Sequence, residues 1–240
     1  MKNDTDIFGI AFEDYLSGNV TGVIKVRTML QGLTENETLP VSYFFRNYDE
    51  MPEWEQQALN LCMGSVLDVG AGAGAHSLEL QKRGLEVCAV DVSPGAVATM
   101  VTRGVREALC VDVMTFSKRK FDTILLLMNG VGMAQNLDGL KTLLFHLKTL
   151  LKPEGRIILE STDILYMFQE EDGSILLPLG ARYYGEIRYQ LYYNRKKGKS
   201  FPWLFVDKDN LSAVAGECGY TIEVIYDGET SNYLAALYLI

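Results

Sequence analysis

Residues 66–74 read Val-Leu-Asp-Val-Gly-Ala-Gly-Ala-Gly, an apolar run carrying Asp68 that gives way to Gly70, Gly72 and Gly74 at alternate positions. Glycine has no Cβ atom, so a chain punctuated in this way turns sharply and lets a ligand lie against bare backbone. A helical pattern over 75–83 follows at once. Its free N–H groups and the positive end of its dipole then point into the turn. Gly70-x-Gly72-x-x-Ala75 also satisfies the dinucleotide fingerprint in the form that accepts alanine at the last place, so the glycines alone do not choose the ligand. Three acids narrow the choice. Asp91 ends the next apolar run, where a carboxylate accepts from two ribose hydroxyls in either kind of nucleotide cofactor. Asp68, inside the turn, favours a cationic ligand group and repels a pyrophosphate. Asp112 ends a third run, where an adenine amino group would donate to it.

These residues need a scaffold that presents successive strand ends along one edge. From residue 51 onward, short strand-like runs alternate with longer helical windows, the pattern of a mostly parallel sheet covered on both faces. The spacing predicts helices from Pro52 to Met63, over 75–83, from Pro94 to Arg103 behind a Ser93 N-cap, over 137–151 and over 208–218. It predicts strands over 65–69, 85–90, 107–111, 121–128 and 156–160, with Lys152–Gly155 as a turn. Two runs at the C-terminus, 220–226 and 233–240, are joined too closely for a parallel crossover and must form an antiparallel hairpin. Two regions break the alternation. Residues 1–50 carry an amphipathic helix with Phe8, Phe12, Tyr15 and Leu16 on one face, then strand-like 23–28 and 41–45. Residues 162–206 carry a second hairpin, 184–193 and 201–206, around a turn at 194–199.

With VLDVGAGAG at 66–74, VCAVD at 87–91, ALCVDV at 108–113, FDTILLLMNG at 121–130 and LKPEGRIILE at 151–160, the chain resembles the class I S-adenosylmethionine-dependent methyltransferases. The resemblance spans roughly residues 52–240. It implies a Rossmann-like α/β three-layer sandwich with a seven-stranded, mostly parallel sheet in the order 3-2-1-4-5-7-6, the last strand antiparallel. To this the two irregular regions add an antiparallel cap, so the expected organisation is a cap element at 1–50 and a cofactor domain at 51–240 with a cap insertion at 162–206. Carried over by position, Asp68, Gly70, Ala71, Gly72 and Gly74 hold the methionine end and ribose, and Asp91 takes the ribose hydroxyls. Val92 lines the adenine pocket, Asp112 and Val113 contact adenine, and Met128 and Asn129 face the methyl donor. Ala75 departs from the larger polar residue of many relatives, which leaves the cofactor carboxylate without an assigned partner. The implied reaction is direct displacement of a methyl group from S-adenosylmethionine, with S-adenosylhomocysteine as product.

The acceptor is narrowed by exclusion. Met128-Asn129-Gly130-Val131 is not the Asn-Pro-Pro-aromatic motif of nucleobase or glutamine amino methylation, no cysteine follows a proline, and no paired-glutamate loop is found near the fourth strand of the cofactor domain. A small molecule is the expected acceptor. His76, one turn beyond the glycines, is the candidate proton acceptor, and Asn129 is a candidate to position the acceptor. Tyr43, Arg46, Tyr48, Tyr189 and Trp203 are the expected acceptor contacts, with Arg46, Arg182 and Arg188 available for an acidic group. The alternatives are a nicotinamide-dependent (NAD(P)) oxidoreductase and an S-adenosylmethionine-binding protein without catalysis.

Composition limits the partners. A net charge of −9 opposes broad attraction to nucleic acid or anionic lipid. Apolar stretches are far shorter than the ~18 residues of a membrane span, and the acidic N-terminus is unlike a signal peptide; a cytoplasmic location is expected. Cys62, Cys88, Cys110 and Cys218 lie far apart, without metal-ligand spacing.

Overall fold

A computed structural model of the protein describes residues 5–30, 32–117, 119–170, 172–177 and 182–240. The strands β3 (Ser65–Val69), β4 (Glu86–Asp91), β5 (Ala108–Cys110), β6 (Phe121–Leu126), β7 (Leu151–Thr162), β11 (Tyr220–Asp227) and β12 (Asn232–Leu239) form one seven-stranded sheet in the order β5-β4-β3-β6-β7-β12-β11. Neighbours from β5 to β7 run parallel, and β12 is antiparallel to both β7 and β11. This is the expected order with the chain's last strand reversed. The chain winds outward from β3 in one direction and returns to the other side at β6, so a crevice opens beyond the C-terminal ends of β3 and β6.

Each face of the sheet is covered. Helices α5 (Leu137–Leu150) and α6 (Lys208–Glu217) bury Leu140, Leu143, Leu144, Leu147 and Leu211 against one face. On the other, α2 (Glu53–Leu61) and α3 (Ala75–Lys82) contribute Ala58, Leu59 and Leu80. Helix α4 (Pro94–Arg103) starts and stops as its sequence dictates: the Ser93 hydroxyl accepts from Ala96 N at 2.9 Å, Pro94 takes the first turn, and Gly104 ends it at φ 97°.

The irregular regions meet in a second, antiparallel sheet. Its strands β1 (Val23–Leu30), β2 (Leu33–Pro40), β8 (Glu186–Tyr193) and β10 (Phe201–Leu204) lie in the order β10-β8-β1-β2, and the short β9 (Lys196–Lys197) also pairs with β8. Helix α1 (Ile7–Leu16) docks on α4 where Gly9 and Gly95 face each other: a Cβ on Gly95 would fall 2.3 Å from Gly9 Cα. Asp6 clamps the contact by accepting from Gly9 N, Ser93 Oγ and Gly95 N.

Several local expectations fail for physical reasons. Residues 41–45 form a 3-10 helix rather than a strand. Pro40 ends the ladder, and the adjacent Phe44 and Phe45 both pack on Phe12, the first also on Phe8 and the second on Tyr15, whereas successive residues of a strand point to opposite faces. Strand β2 was not expected, because Leu33–Pro40 is exposed almost throughout and has no apolar alternation; its pairing with β1 holds it. The Lys152–Gly155 turn is instead an irregularity within the continuous β7, with Glu154 at φ 65° and a register shift opposite it in β6. The hairpin turn shrinks to Asn194 and Arg195, both at positive φ. In α1 the buried side chains are Ile7, Ala11 and Phe12, whereas Leu16 is exposed.

Candidate active site

At the end of β3 the chain makes three successive excursions to positive φ, at Gly70, Gly72 and Gly74. Gly70 N and Ala71 N donate to Val90 O, which ties the loop to β4. Asp91 completes the tie: one carboxylate oxygen accepts from Gly72 N at 2.9 Å and the other from Ser93 N at 2.8 Å. Burial raises the Asp91 pKa, against these two N–H groups, and the charges of Asp6 and Asp68 add to the rise. Gly74 stands apart from its companions. It starts α3 in the left-handed conformation and faces Val105 and Met100, 2.9 and 3.0 Å from where a Cβ would stand, not the crevice.

The crevice is a cavity of about 1300 Å³ that brings together Asp68, Gly70, Ala71, Gly72, Asp91, Val92, Asp112, Val113, Met128 and Asn129. Asp112 stands at the rim, where its carboxylate accepts from Met114 N at 2.9 Å and shapes the turn carrying Val113. Met128 and Asn129 both adopt left-handed backbone, at φ 53° and 54°. The Asn129 amide is already engaged: Nδ2 donates to Leu204 O, and Oδ1 accepts from Ser161 Oγ. It braces the cavity floor against the strand that forms the roof.

One end of the cavity holds a buried charge network. Glu55, 1% exposed, accepts from Arg46 Nη2 at 2.9 and 3.0 Å and meets His76 Nε2 at 2.8 Å. Burial opposes the Glu55 charge, but His76 and Arg46 outweigh it and hold the carboxyl below its ordinary pKa. Burial equally opposes a charged His76, yet the Glu55 hydrogen bond and charge raise its pKa. His76 is thus held as a partner of Glu55 and not as a free base. Arg46 stacks 3.4 Å from the Tyr43 ring centroid and donates through Nε to Tyr43 O. Asp68, 2% exposed, accepts from Ser77 Oγ at 2.5 Å, and burial raises its pKa. Glu160, at the end of β7, accepts from Met128 N at 2.8 Å; burial, then the charge of Glu55, push its pKa up to about 7.

The roof is the inner face of the second sheet. Tyr189 and Trp203 reach the cavity from it, and Tyr43, Arg46 and His76 reach it from below. Tyr48 does not: its hydroxyl donates to Asn60 and its ring carries Arg83, away from the crevice. Arg188 is at the rim and donates to Ser200. Glu55, Glu160 and Asp6 escaped the sequence reading. Only Glu55 left a signal there, as the one acid at a core-facing position of the 55/58/59 apolar stripe.

A family model described as a methyltransferase domain matches residues 66–155. A methyltransferase from Bacteroides fragilis, solved in complex with S-adenosyl-L-homocysteine, shares 36% identity over 100% of this chain and 98% of its own, with a TM-score of 0.89. The chain belongs to the S-adenosylmethionine-dependent methyltransferases. Its enzyme class and cofactor follow, and the oxidoreductase alternative falls. More distant methyltransferases share the fold. A sugar N-methyltransferase from Streptoalloteichus sp. has 15% identity over 81% of this chain and 89% of its own at a TM-score of 0.58. An amino pentose methyltransferase from Micromonospora echinaspora has 17% identity over 86% and 99% at 0.57. No curated protein sequence matches the chain. The residues of this methyltransferase fit the cofactor: the glycine turn leaves space where Cβ atoms would stand, with Met133 and Phe44 at 3.6 and 3.8 Å from the Gly70 and Gly72 positions. Among the described residues no helix is long and apolar enough to cross a membrane, and no acid, histidine or cysteine group could hold a metal ion.

Proposed function

We propose that this methyltransferase acts on a small molecule by direct displacement, inside the chamber between the glycine loop and the aromatic sheet. The observation that carries the reading is the chamber itself. At about 1300 Å³ it is larger than the ~300–1000 Å³ of an ordinary single-ligand pocket, and cofactor loop and roof line it together. Among the described residues no side chain fills it, which favours catalysis over a binding-only role. The sugar and amino pentose specificities of the distant methyltransferases are in keeping with a small acceptor.

S-adenosylmethionine, when bound, supplies a methyl group already activated on a sulfonium. The chain then has to align and dehydrate the partners, and orientation of this kind is worth ~7–11 kcal/mol. Asp68, Gly70, Ala71 and Gly72 are assigned to the methionine end and ribose, Asp91 to the ribose hydroxyls, and Val92, Asp112 and Val113 to the adenine. Met128 and Asn129 form the floor near the methyl group. Arg46 and His76 supply positive charge for the methionine carboxylate, the role left open by Ala75. Gly74 and Tyr48 are released from contact roles.

Incubation with methyl-labelled S-adenosylmethionine and a cell extract, separated afterwards by dialysis, tests the acceptor. Label should appear in a diffusible product that chromatography separates from S-adenosylmethionine; product label confined to retained protein or nucleic acid would overturn the reading. The cofactor assignment is tested by titrating S-adenosylhomocysteine into Asp91→Ala. Loss of two charge-assisted hydrogen bonds worth ~1.5–3 kcal/mol each should raise Kd roughly 10²–10⁴-fold.

A further inference from the structure

The inner face of the roof sheet is set by its register. Val26 lies opposite Glu37 and Leu191, Thr28 lies opposite Tyr189, and Tyr189 lies opposite Phe201. Residues directly opposite share a face, so Glu37 joins an apolar and aromatic surface looking into the cavity, which it lines. Its carboxylate has one hydrogen-bond partner among the described residues, Thr28 Oγ1 at 3.5 Å. Of the cations that reach the same cavity, Arg46 and His76 bond Glu55 and Arg188 bonds Ser200, so none of these three is a partner of Glu37. The charge of Glu37 also contributes to the raised pKa of the Tyr189 phenol, behind burial as the larger cause, which places the two groups within electrostatic reach.

From this juxtaposition, and resting on the small-molecule reading above, we propose that the acceptor is an amine on an apolar body, its ammonium group held between Glu37 and Tyr189. A cation is attracted to aromatic faces and to an underpaired carboxylate together, whereas a carboxylate- or phosphate-bearing acceptor is repelled. The ammonium first gives a proton to Glu37, which passes it to water at the open rim. The free nitrogen lone pair then forms the C–N bond as the C–S bond breaks, with the bonding pair left on sulfur. The products are the methylammonium, S-adenosylhomocysteine and one released proton.

The test uses 2-phenylethylamine, 2-phenylethanol and 3-phenylpropionate as probes of similar shape and different charge, titrated by calorimetry into the full chain saturated with S-adenosylhomocysteine. Wild type should bind the amine at least about tenfold more tightly than either competitor. Glu37→Gln, at an exposed strand position, should abolish that preference with the affinity for S-adenosylhomocysteine unchanged. Equal or tighter binding of the alcohol or the acid, no binding of the amine, or a preference retained in Glu37→Gln would overturn the proposal. The last result would leave Glu37 as an inward charge guarding the β2 edge against strand pairing. Failure of the protein to bind S-adenosylhomocysteine would instead overturn the site assignment on which the proposal rests.

Discussion

Replacing Glu55 by Gln leaves two buried cationic groups facing a neutral amide. Arg46 and His76 side chains are 11% and 8% exposed, and Glu55 is 1% exposed, so water cannot replace the lost charge. Breaking a buried ion pair by removing one partner costs ~3–5 kcal/mol, because the other charge is left uncompensated. For a chain of this size, each kcal/mol moves Tm by ~2–4 °C, so the expected drop is about 6–20 °C. Thermal and urea denaturation of the ligand-free protein measure it. The loss also depends on pH. Glu55 is lowered from 4.5, so its contribution is present above that value and disappears as pH falls through its native pKa. His76 is raised from 6.5, so its contribution is complete below that value and disappears as pH rises through its native pKa. The gap between wild type and variant should therefore be widest between about pH 4.5 and 6.5 and should narrow on either side. It should not close at high pH, where Arg46 is still unpaired. Adding Arg46→Met to the variant should recover most of the loss by removing the orphaned cation. A drop below about 1 kcal/mol, or a gap that grows above pH 8, would refute the reasoning.

Two further variants probe the frame of the site. Glu160 is raised from 4.5 to about 7, so the native state holds its proton more tightly than the unfolded chain. Its burial should cost up to about 3 kcal/mol once pH exceeds 7. Glu160→Gln keeps an acceptor for Met128 N and should gain stability over wild type at pH 8 but not at pH 4.5; equal urea midpoints at pH 8 would contradict this. Gly95→Ala puts a methyl group 2.3 Å from Gly9 Cα and should cost about 1–3 kcal/mol. Prising α1 from α4 should also quicken limited proteolysis at the already exposed residues 17–21, and an unchanged digestion rate and Tm would count against the clamp.

The cofactor half of the site was legible because parallel strands announce themselves locally. Fully buried β3 is apolar but for Ser65 and Asp68, and residues that line the cavity follow each strand at its end, so Gly70, Gly72, Asp91 and Asp112 could be placed by order alone. The terminal hairpin was legible from the length of its connection. Gly74 was misread because a positive φ needed for packing and one needed for ligand contact look alike in sequence. Tyr48 was misread because aromatic clustering does not reveal which way a ring points.

The roof of the cavity was settled by contacts between distant segments. The roof pairs Lys25–Met29 with Arg188–Tyr192, and the exposed polar strand β2 exists only through its partner β1. Glu55 meets Arg46 from a preceding 3-10 turn and His76 from beyond the glycine loop. No local pattern encodes such a meeting. Sequence alone determined the strands, the terminal hairpin and the glycine turn, because backbone hydrogen bonding and apolar periodicity act over a few residues; the sheet order and the cofactor came from the resemblance of its motifs to a known family. Tertiary structure decided the chamber, its buried charges and the inward face of Glu37, because side-chain direction and burial depend on which remote elements pack together.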